Sequence, residues 1–327
     1  MANGKTHRFA PKRFYYTFGV SEPAVVVRSG ERVVTTTRDA GGGDERRRPI
    51  PPGMKQRMQG TSLFEANPLT GPVVVDGAKP GDALAVHIRR ITLTRDTAYS
   101  CHLPGFMPFG SSSPGADFQL GTAPPARDFL WKLDRKRMTG TLKLTKSRAR
   151  SVTIPLHPFI GSIGVAPRYG RVETSCTPGE YGGNMDCIET KPGTTLYLPV
   201  FVEGAYLYFG DIHAAQGDGE ICCVALETSA EVTLDVRLVK RWNIEWPRLE
   251  DRTHIMTACS AKPLMDAFAL AHREMIRWLE NDYGFDRWEA YQLVSQAGTS
   301  RIGNVVDPRF TVVAEFPKKY LPRARRR

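Results

Sequence analysis

AYLYFGDIHAAQGDGEICCVALE, residues 205–227, carries two short apolar runs, Ala205–Phe209 and Ile221–Leu226, on either side of a polar, glycine-rich loop. Apolar runs of that length bounded by glycines read as buried strands. The loop between them, Gly210 to Glu220, holds three carboxylates and one imidazole. Asp211 and His213 lie two residues apart, as do Asp218 and Glu220, so in extended backbone each pair points to one side. Gly210, Gly217 and Gly219 allow tight turns or close approach to a bound group. Carboxylates crowded beside a histidine repel one another unless a cation or a shared proton relieves them. Oxygen-plus-imidazole donors suit a hard or borderline divalent ion. The plain alternative is a solvated Asp/Gly hairpin loop.

Working outward, the chain is mostly strands. A turn of Pro-Gly or Ser-Gly chemistry precedes an extended run three times, at Arg32–Thr37, Ala83–Ile88 and Thr194–Val202. In the second run Leu84, Val86 and Ile88 alternate with Ala85, His87 and Arg89, which marks a half-buried strand with His87 on its polar face. After Trp246 the period changes. Ser260 reads as a helix cap ahead of Pro263. Leu264, Phe268, Ala271, Met275, Trp278 and Leu279 then recur at helical spacing, and Asp286 with Glu289 opens a second, shorter helix. The expected fold is β-rich (α+β). It has an antiparallel sandwich- or barrel-like body over residues 1–245 and a helical C-terminal unit over 246–327, ending in a basic tail at 322–327.

Length and composition bound the function. A chain of 327 residues with 41% hydrophobic and 24% charged residues buries a sizeable core. No apolar run approaches a membrane span, and MANGKTHRFAPKRFYY lacks the apolar core of a signal peptide, so a cytoplasmic protein with no membrane partner is expected. The formal charge of +11 gathers in Arg46–Arg48, Lys132–Arg137 and Arg323–Arg327. No recognition helix or stacking motif accompanies these clusters, so solvated basic loops are expected and a nucleic-acid partner is not. Cys101, Cys176, Cys187, Cys222, Cys223 and Cys259 form no Cys-x-x-Cys pattern and read as reduced thiols.

Further candidate residues sit in loops. Asp39 ends the first strand before three glycines and could reach a site as a ligand or serve as a loop cap. In Tyr181–Cys187, Asp186 could bind the same cation as His213, Asn184 could donate to a substrate oxyanion, and Cys187 could be a nucleophile. All three are also ordinary turn residues. Residues 104–125, rich in Gly, Ser and Pro, carry Phe106 and Phe109 and read as a lid that helps bind a small apolar group. Glu220, opening a run read as a buried strand, is the expected proton shuttle, with Asp218 beside it.

Several motifs together resemble one family. These are Asn67–Pro72 with Gly77–Asp82, Gly161–Pro167, Gly182–Asp186, Leu196–Val202 and Gly210–Glu220, in that order. They are similar to those of the acetamidase/formamidase family over about Gly19 to Leu321. The resemblance implies a β-rich, usually homo-oligomeric enzyme associated with a divalent metal. It also implies hydrolysis of short linear amides, or in some relatives cyclic ones, to a carboxylate and ammonia. It places Asp186, Asp211, His213, Asp218 and Glu220 where the family keeps its polar site. Zinc is the expected ion and calcium the alternative. Metal-activated water is the expected nucleophile, and no Gly-x-Ser-x-Gly elbow competes with it. Two alternatives stand beside this reading. One is an amidase using Cys187 as nucleophile. The other is a non-catalytic binding module with a structural Ca²⁺ and a basic face.

Overall fold

The structure, a computed structural model, describes residues 4–56, 65–103 and 125–322. Two large sheets carry the fold. The first has nine strands, in the order Thr6–Arg8, Glu31–Thr36, Ala230–Val239, Ala83–Leu93, Thr195–Pro199, Arg248–Glu250, His254–Ala261, Phe310–Pro317 and Thr299–Asn304. The second runs Ser151–Pro155, Thr139–Lys143, Arg127–Asp134, Thr97–His102, Glu227–Thr228, Leu207–His213, Phe159–Gly164 and Gly182–Asn184, with Leu69–Val75 also pairing Leu207–His213 and holding Val25–Val27. Pairing is antiparallel except at Thr6–Arg8 with Glu31–Thr36 and Val25–Val27 with Leu69–Val75. The β-rich expectation therefore holds, in a sandwich of two mixed sheets.

One core joins the sheets. Leu84, Val86, Ile88, Leu196, Leu198, Val232 and Leu234 of the first meet Leu69, Ile160, Ile163, Leu207, Phe209 and Ile212 of the second. Residues after Trp246 extend the first sheet by four strands as well as adding helices. In His254–Ala261 and Phe310–Pro317 the side-chain period of two feeds separate cores. Met256, Ala258 and Val313 join the main core, whereas Ile255, Cys259, Val312, Ala314 and Phe316 turn the other way. Onto that second face packs helix Leu264–Trp278, extended by a π-turn over Leu279–Tyr283, through Ala267, Ala271, Met275, Trp278 and Leu279. Small residues at 267 and 271 let the helix axis approach the sheet, and Met275 and Trp278 fill the space beyond. Phe268, expected in the stripe, is instead exposed. Ser260 caps nothing. It lies in a strand with its hydroxyl 2.9 Å from that of Thr311, and the helix starts after Pro263. Asp286 does cap helix Arg287–Ala297, accepting from the amides of Trp288 and Glu289. Among the described residues no helix is long and apolar enough to cross a membrane.

The central stretch differs from expectation in one respect. The strand over Leu207–His213 runs four residues into the expected loop. Ile221–Leu226 is not a strand, and pairing resumes only at Glu227–Thr228. Apolar side chains there line cavities, and of the run only Leu226 bonds back, through its backbone, to Ala214 and Ala215.

One buried acid outside the site yields a pH prediction. Burial pushes the Glu189 carboxyl up from 4.5 to about 7, with Arg301 only at 3.9 Å to offset it. Between those two values the native chain holds more protons than the unfolded chain. Its contribution to stability is therefore greatest below pH 4.5 and is lost as pH rises towards 7, by up to about 3 kcal/mol. Glu189→Gln should flatten the pH dependence and stabilise the protein at pH 8, measured by urea unfolding at pH 5 and pH 8. An unchanged difference between the two pH values would remove Glu189 as a cause.

Candidate functional site

The site is built on the strand at the centre of the second sheet. Register pairs Ile160 with Ile212 and Ser162 with Gly210, which sets Gly161 opposite Asp211. A Cβ at Gly161 would come within 2.8 Å of Asp211 Oδ2, 2.9 Å of Asp186 Oδ1 and 2.9 Å of His213 Cε1. The missing side chain is thus the space into which three polar groups converge. His213 Nε2 lies 3.2 Å from Asp211 Oδ2, 3.4 Å from Glu227 Oε1 and 4.0 Å from Asp186 Oδ1. Ligand-type atoms of Asp186, Asp211 and His213 all fall within 4.8 Å of one another, and so do those of His213, Glu220 and Glu227. Asp186 is 0% exposed, Asp211 and His213 1%, Glu227 2% and Glu220 7%, so water cannot neutralise this charge.

Gln216 settles which imidazole nitrogen faces the acids. Its amide nitrogen donates to the carbonyls of Asp186 and Gly303, both at 2.9 Å, so its oxygen must be the atom 2.8 Å from His213 Nδ1. That oxygen only accepts, hence Nδ1 carries hydrogen and the neutral ring turns an Nε2 lone pair towards three carboxylates. A lone pair against carboxylates is repulsive unless a proton or a cation lies between them. Buried oxygens Asp186 Oδ1, Asp211 Oδ1 and Glu227 Oε2 also have no hydrogen-bond partner. Lone pair, unpartnered oxygens and the Gly161 cradle fit a divalent cation of borderline character.

Electrostatics point the same way. Two carboxylates about 4 Å apart repel by about 4 kcal/mol at an effective dielectric near 20. Burial, reinforced by neighbouring acids, pushes the carboxyls of Asp186, Glu220, Glu227 and Asp307 well above the usual range. Burial works against a charged His213, but Glu227 and Asp211 outweigh it and hold the ring well above its ordinary value. The backbone is also constrained, since Asp186, Asp211 and Glu220 have φ of 49°, 56° and 48°. That left-handed region is uncommon for residues with a Cβ.

Two cavities meet at this centre. One of about 580 Å³ is lined by Tyr99, Asn184, Asp211, Glu220, Glu227 and Asp307. The other, about 740 Å³, reaches Gln216 and Glu220 from the side of Trp131, His157 and Arg301. Glu220 and Val224 line both, so the segment between them is the dividing wall.

Of the residues singled out in the sequence, Asp186, Asp211, His213 and Glu220 come together. Asp218 does not. It is exposed and bound to Arg301, Oδ1 to Nη2 at 2.6 Å, because the turn at Gly219 (φ +86°) and the left-handed Glu220 break the expected alternation. Asp39 is adjacent but engaged, with Oδ2 2.6 Å from Arg95 Nη1 and Oδ1 accepting from the Gly43 amide at 2.7 Å. Asn184 lines the cavity, but its nitrogen already donates to Asp186 Oδ2 at 3.0 Å and Asp307 Oδ2 at 2.9 Å. Its oxygen accepts from Ser162 and Asn67, so it positions acids and has no donor left for a ligand. Cys187 is packed in the core, lines neither cavity, and burial pushes its thiol well up, which disfavours a nucleophilic role. Phe106 and Phe109 lie outside the described residues. Glu227 and Asp307 join the centre unforeseen. Glu227 ends the quoted stretch directly after an apolar run, and Asp307 is an acid between Val306 and Pro308. A charge inside an apolar segment was the available signal in both.

A two-sheet β protein with a buried acid–imidazole centre opening on a cavity is the class that fold and site define. The chain belongs to the acetamidase/formamidase family, whose model matches residues 20–175 and 170–321. It is similar in structure to an acetamidase from Yersinia enterocolitica, with 35% identity, a TM-score of 0.83, and 98% of this chain and 94% of that one covered. An acetamidase from Bacillus halodurans is similar at 31% identity and a TM-score of 0.79, over 96% and 98% of the two chains. In sequence it is 29% identical to an acetamidase of Mycolicibacterium smegmatis, covering 56% of each chain. The chain spans about half the length of the curated relatives it matches.

Proposed function

We propose that this protein hydrolyses short amides to a carboxylate and ammonia, with a zinc-type divalent cation held by Asp186, Asp211 and His213 and with Glu227 alongside. The observation that carries the reading is His213 Nε2 turned towards the buried carboxylates of Asp211, Glu227 and Asp186, each of which also keeps one oxygen without a hydrogen-bond partner. Membership of a family with acetamidase-named relatives supports the substrate class. When bound, such an ion supplies a Lewis acid for the carbonyl and lowers the pKa of water towards neutrality. The chain's own groups do the rest. Gln216 fixes the His213 tautomer, Asn184 orients Asp186 and Asp307, and burial excludes bulk water. Glu220 reaches the cavity with a carboxyl raised by burial and by Asp186, which favours uptake of a proton there. It takes a proton from the attacking water as the C–O bond forms and gives it to nitrogen as the C–N bond breaks.

A structural calcium in a non-catalytic module is the weaker reading, since calcium takes oxygen donors and the centre presents an imidazole. Ammonia release from formamide, acetamide and propionamide tests the proposal, measured with the metal content before and after chelation. Release that disappears on stripping and returns with Zn²⁺ supports it. Bound metal without ammonia release favours the binding module. The homo-oligomer implied by the family belongs to the same proposal, and light scattering of the purified protein measures it.

A further inference from the structure

We propose that Tyr99 is a further catalytic residue, whose phenol donates a hydrogen bond to the carbonyl oxygen of the bound amide and strengthens that bond as the oxygen gains charge. The inference rests on the amide-hydrolysis reading above.

Tyr99 lies in strand Thr97–His102, paired directly with Glu227 on the neighbouring strand, and it lines the cavity that Asp211, Glu220 and Glu227 share. Its hydroxyl sits against Gly41, where a Cβ would come within 3.0 Å of the phenol oxygen and 3.6 Å of Asp39 Oδ1. Only the absence of a side chain at 41 leaves the hydroxyl where it is. Among the described residues no hydrogen bond engages the phenol's own hydrogen, which is free to meet a ligand in the cavity. A phenol is un-ionised near neutral pH, so it serves as a neutral donor.

Elimination leads to the same residue. In the reading above Asp211, Glu220 and Glu227 of this cavity are taken up as ion holders or as the proton carrier. Asn184 is committed to Asp186 and Asp307, and Asn67 faces the Asn184 oxygen at 3.1 Å. Thr174 is 2.8 Å from the hydroxyl of Thr177. Cysteine thiols donate weakly. Among the described residues lining the cavity, Tyr99 is the strong neutral donor that remains. Carbonyl oxygen is the amide atom that gains negative charge during attack, and a donor preorganised in a water-poor site stabilises it most at that moment.

Tyr99→Phe removes only the hydroxyl. With the metal-loaded protein, kcat for acetamide should fall about a hundredfold and KM should change much less, the split expected for a contact that strengthens in the transition state. Metal content and melting temperature should match wild type. Gly41→Ala gives an independent arm that leaves the phenol in place but displaces it. It should lower kcat about tenfold in wild type and have no further effect in Tyr99→Phe. An active wild type with a Tyr99→Phe variant of equal kcat overturns this assignment alone. So does a Gly41→Ala effect that persists undiminished in the double variant. A wild type that releases no ammonia from any amide overturns the hydrolysis reading and this one with it.

Discussion

His213→Ala should emerge from purification without its metal and without amidase activity. The imidazole is the one nitrogen donor among the oxygens of Asp186, Asp211 and Glu227, and a borderline ion loses most when that donor goes. Losing an outer partner of a ligand typically costs about 10- to 100-fold in metal affinity, so loss of the ligand itself should exceed that range. Turnover should fall by at least about a thousandfold, since Lewis-acid stabilisation is worth several kcal/mol. Gln216→Ala provides the graded control, because it frees the tautomer without removing the ring and should cost only about 10- to 100-fold. Metal analysis with an ammonia assay decides the matter, and full metal content with full activity in His213→Ala would refute the assignment.

Glu220→Gln should behave in the opposite way, keeping its metal while turnover drops at least about a hundredfold, the low end for loss of a general base. The substitution preserves shape and most hydrogen bonding and removes only the exchangeable proton. Its geometry makes the alternative concrete, since the carboxylate lies near enough to His213 and Glu227 to serve as a ligand. Loss of metal from the variant would mean that it does so. Undiminished turnover would leave Glu220 a structural residue.

Most of the fold was legible because strand period and turn chemistry are local. Alternation at Leu84, Val86 and Ile88 survives as a buried strand face, and Asp286 caps its helix as its position suggests. The spacing of Asp211 and His213 placed them on one side of a strand because that strand exists. The same spacing failed for Asp218 and Glu220, where left-handed residues turn the chain and send one acid to solvent and the other inward. Glu227 and Asp307 were hidden for another reason. They reach the centre through long-range contacts, Glu227 to His213 and Asp307 to Asn184, 123 residues apart in the latter case, and no local pattern encodes such contacts. Ile221–Leu226 looked like a strand from its apolar composition, but only Ala225 and Leu226 are buried, Ile221 is exposed, and the run lines the two cavities.

The left-handed backbone at Asp186, Asp211 and Glu220 sets this protein's robustness against its chemistry. Each such residue holds roughly 1–3 kcal/mol of conformational strain, and in the metal-free chain their mutual repulsion adds to it. Asparagine tolerates the same backbone angles without the charge. Random variation selected only for heat resistance should therefore drift towards neutral residues at 186 and 211 and lose the proposed metal site on the way. Alanine at either position would combine a backbone penalty with loss of the carboxylate, so a scan that relies on alanine would confuse a folding defect with a chemical one. Thermal hardening of this protein is better sought in the second core, around Ala267 and Met275, neither of which has left-handed backbone.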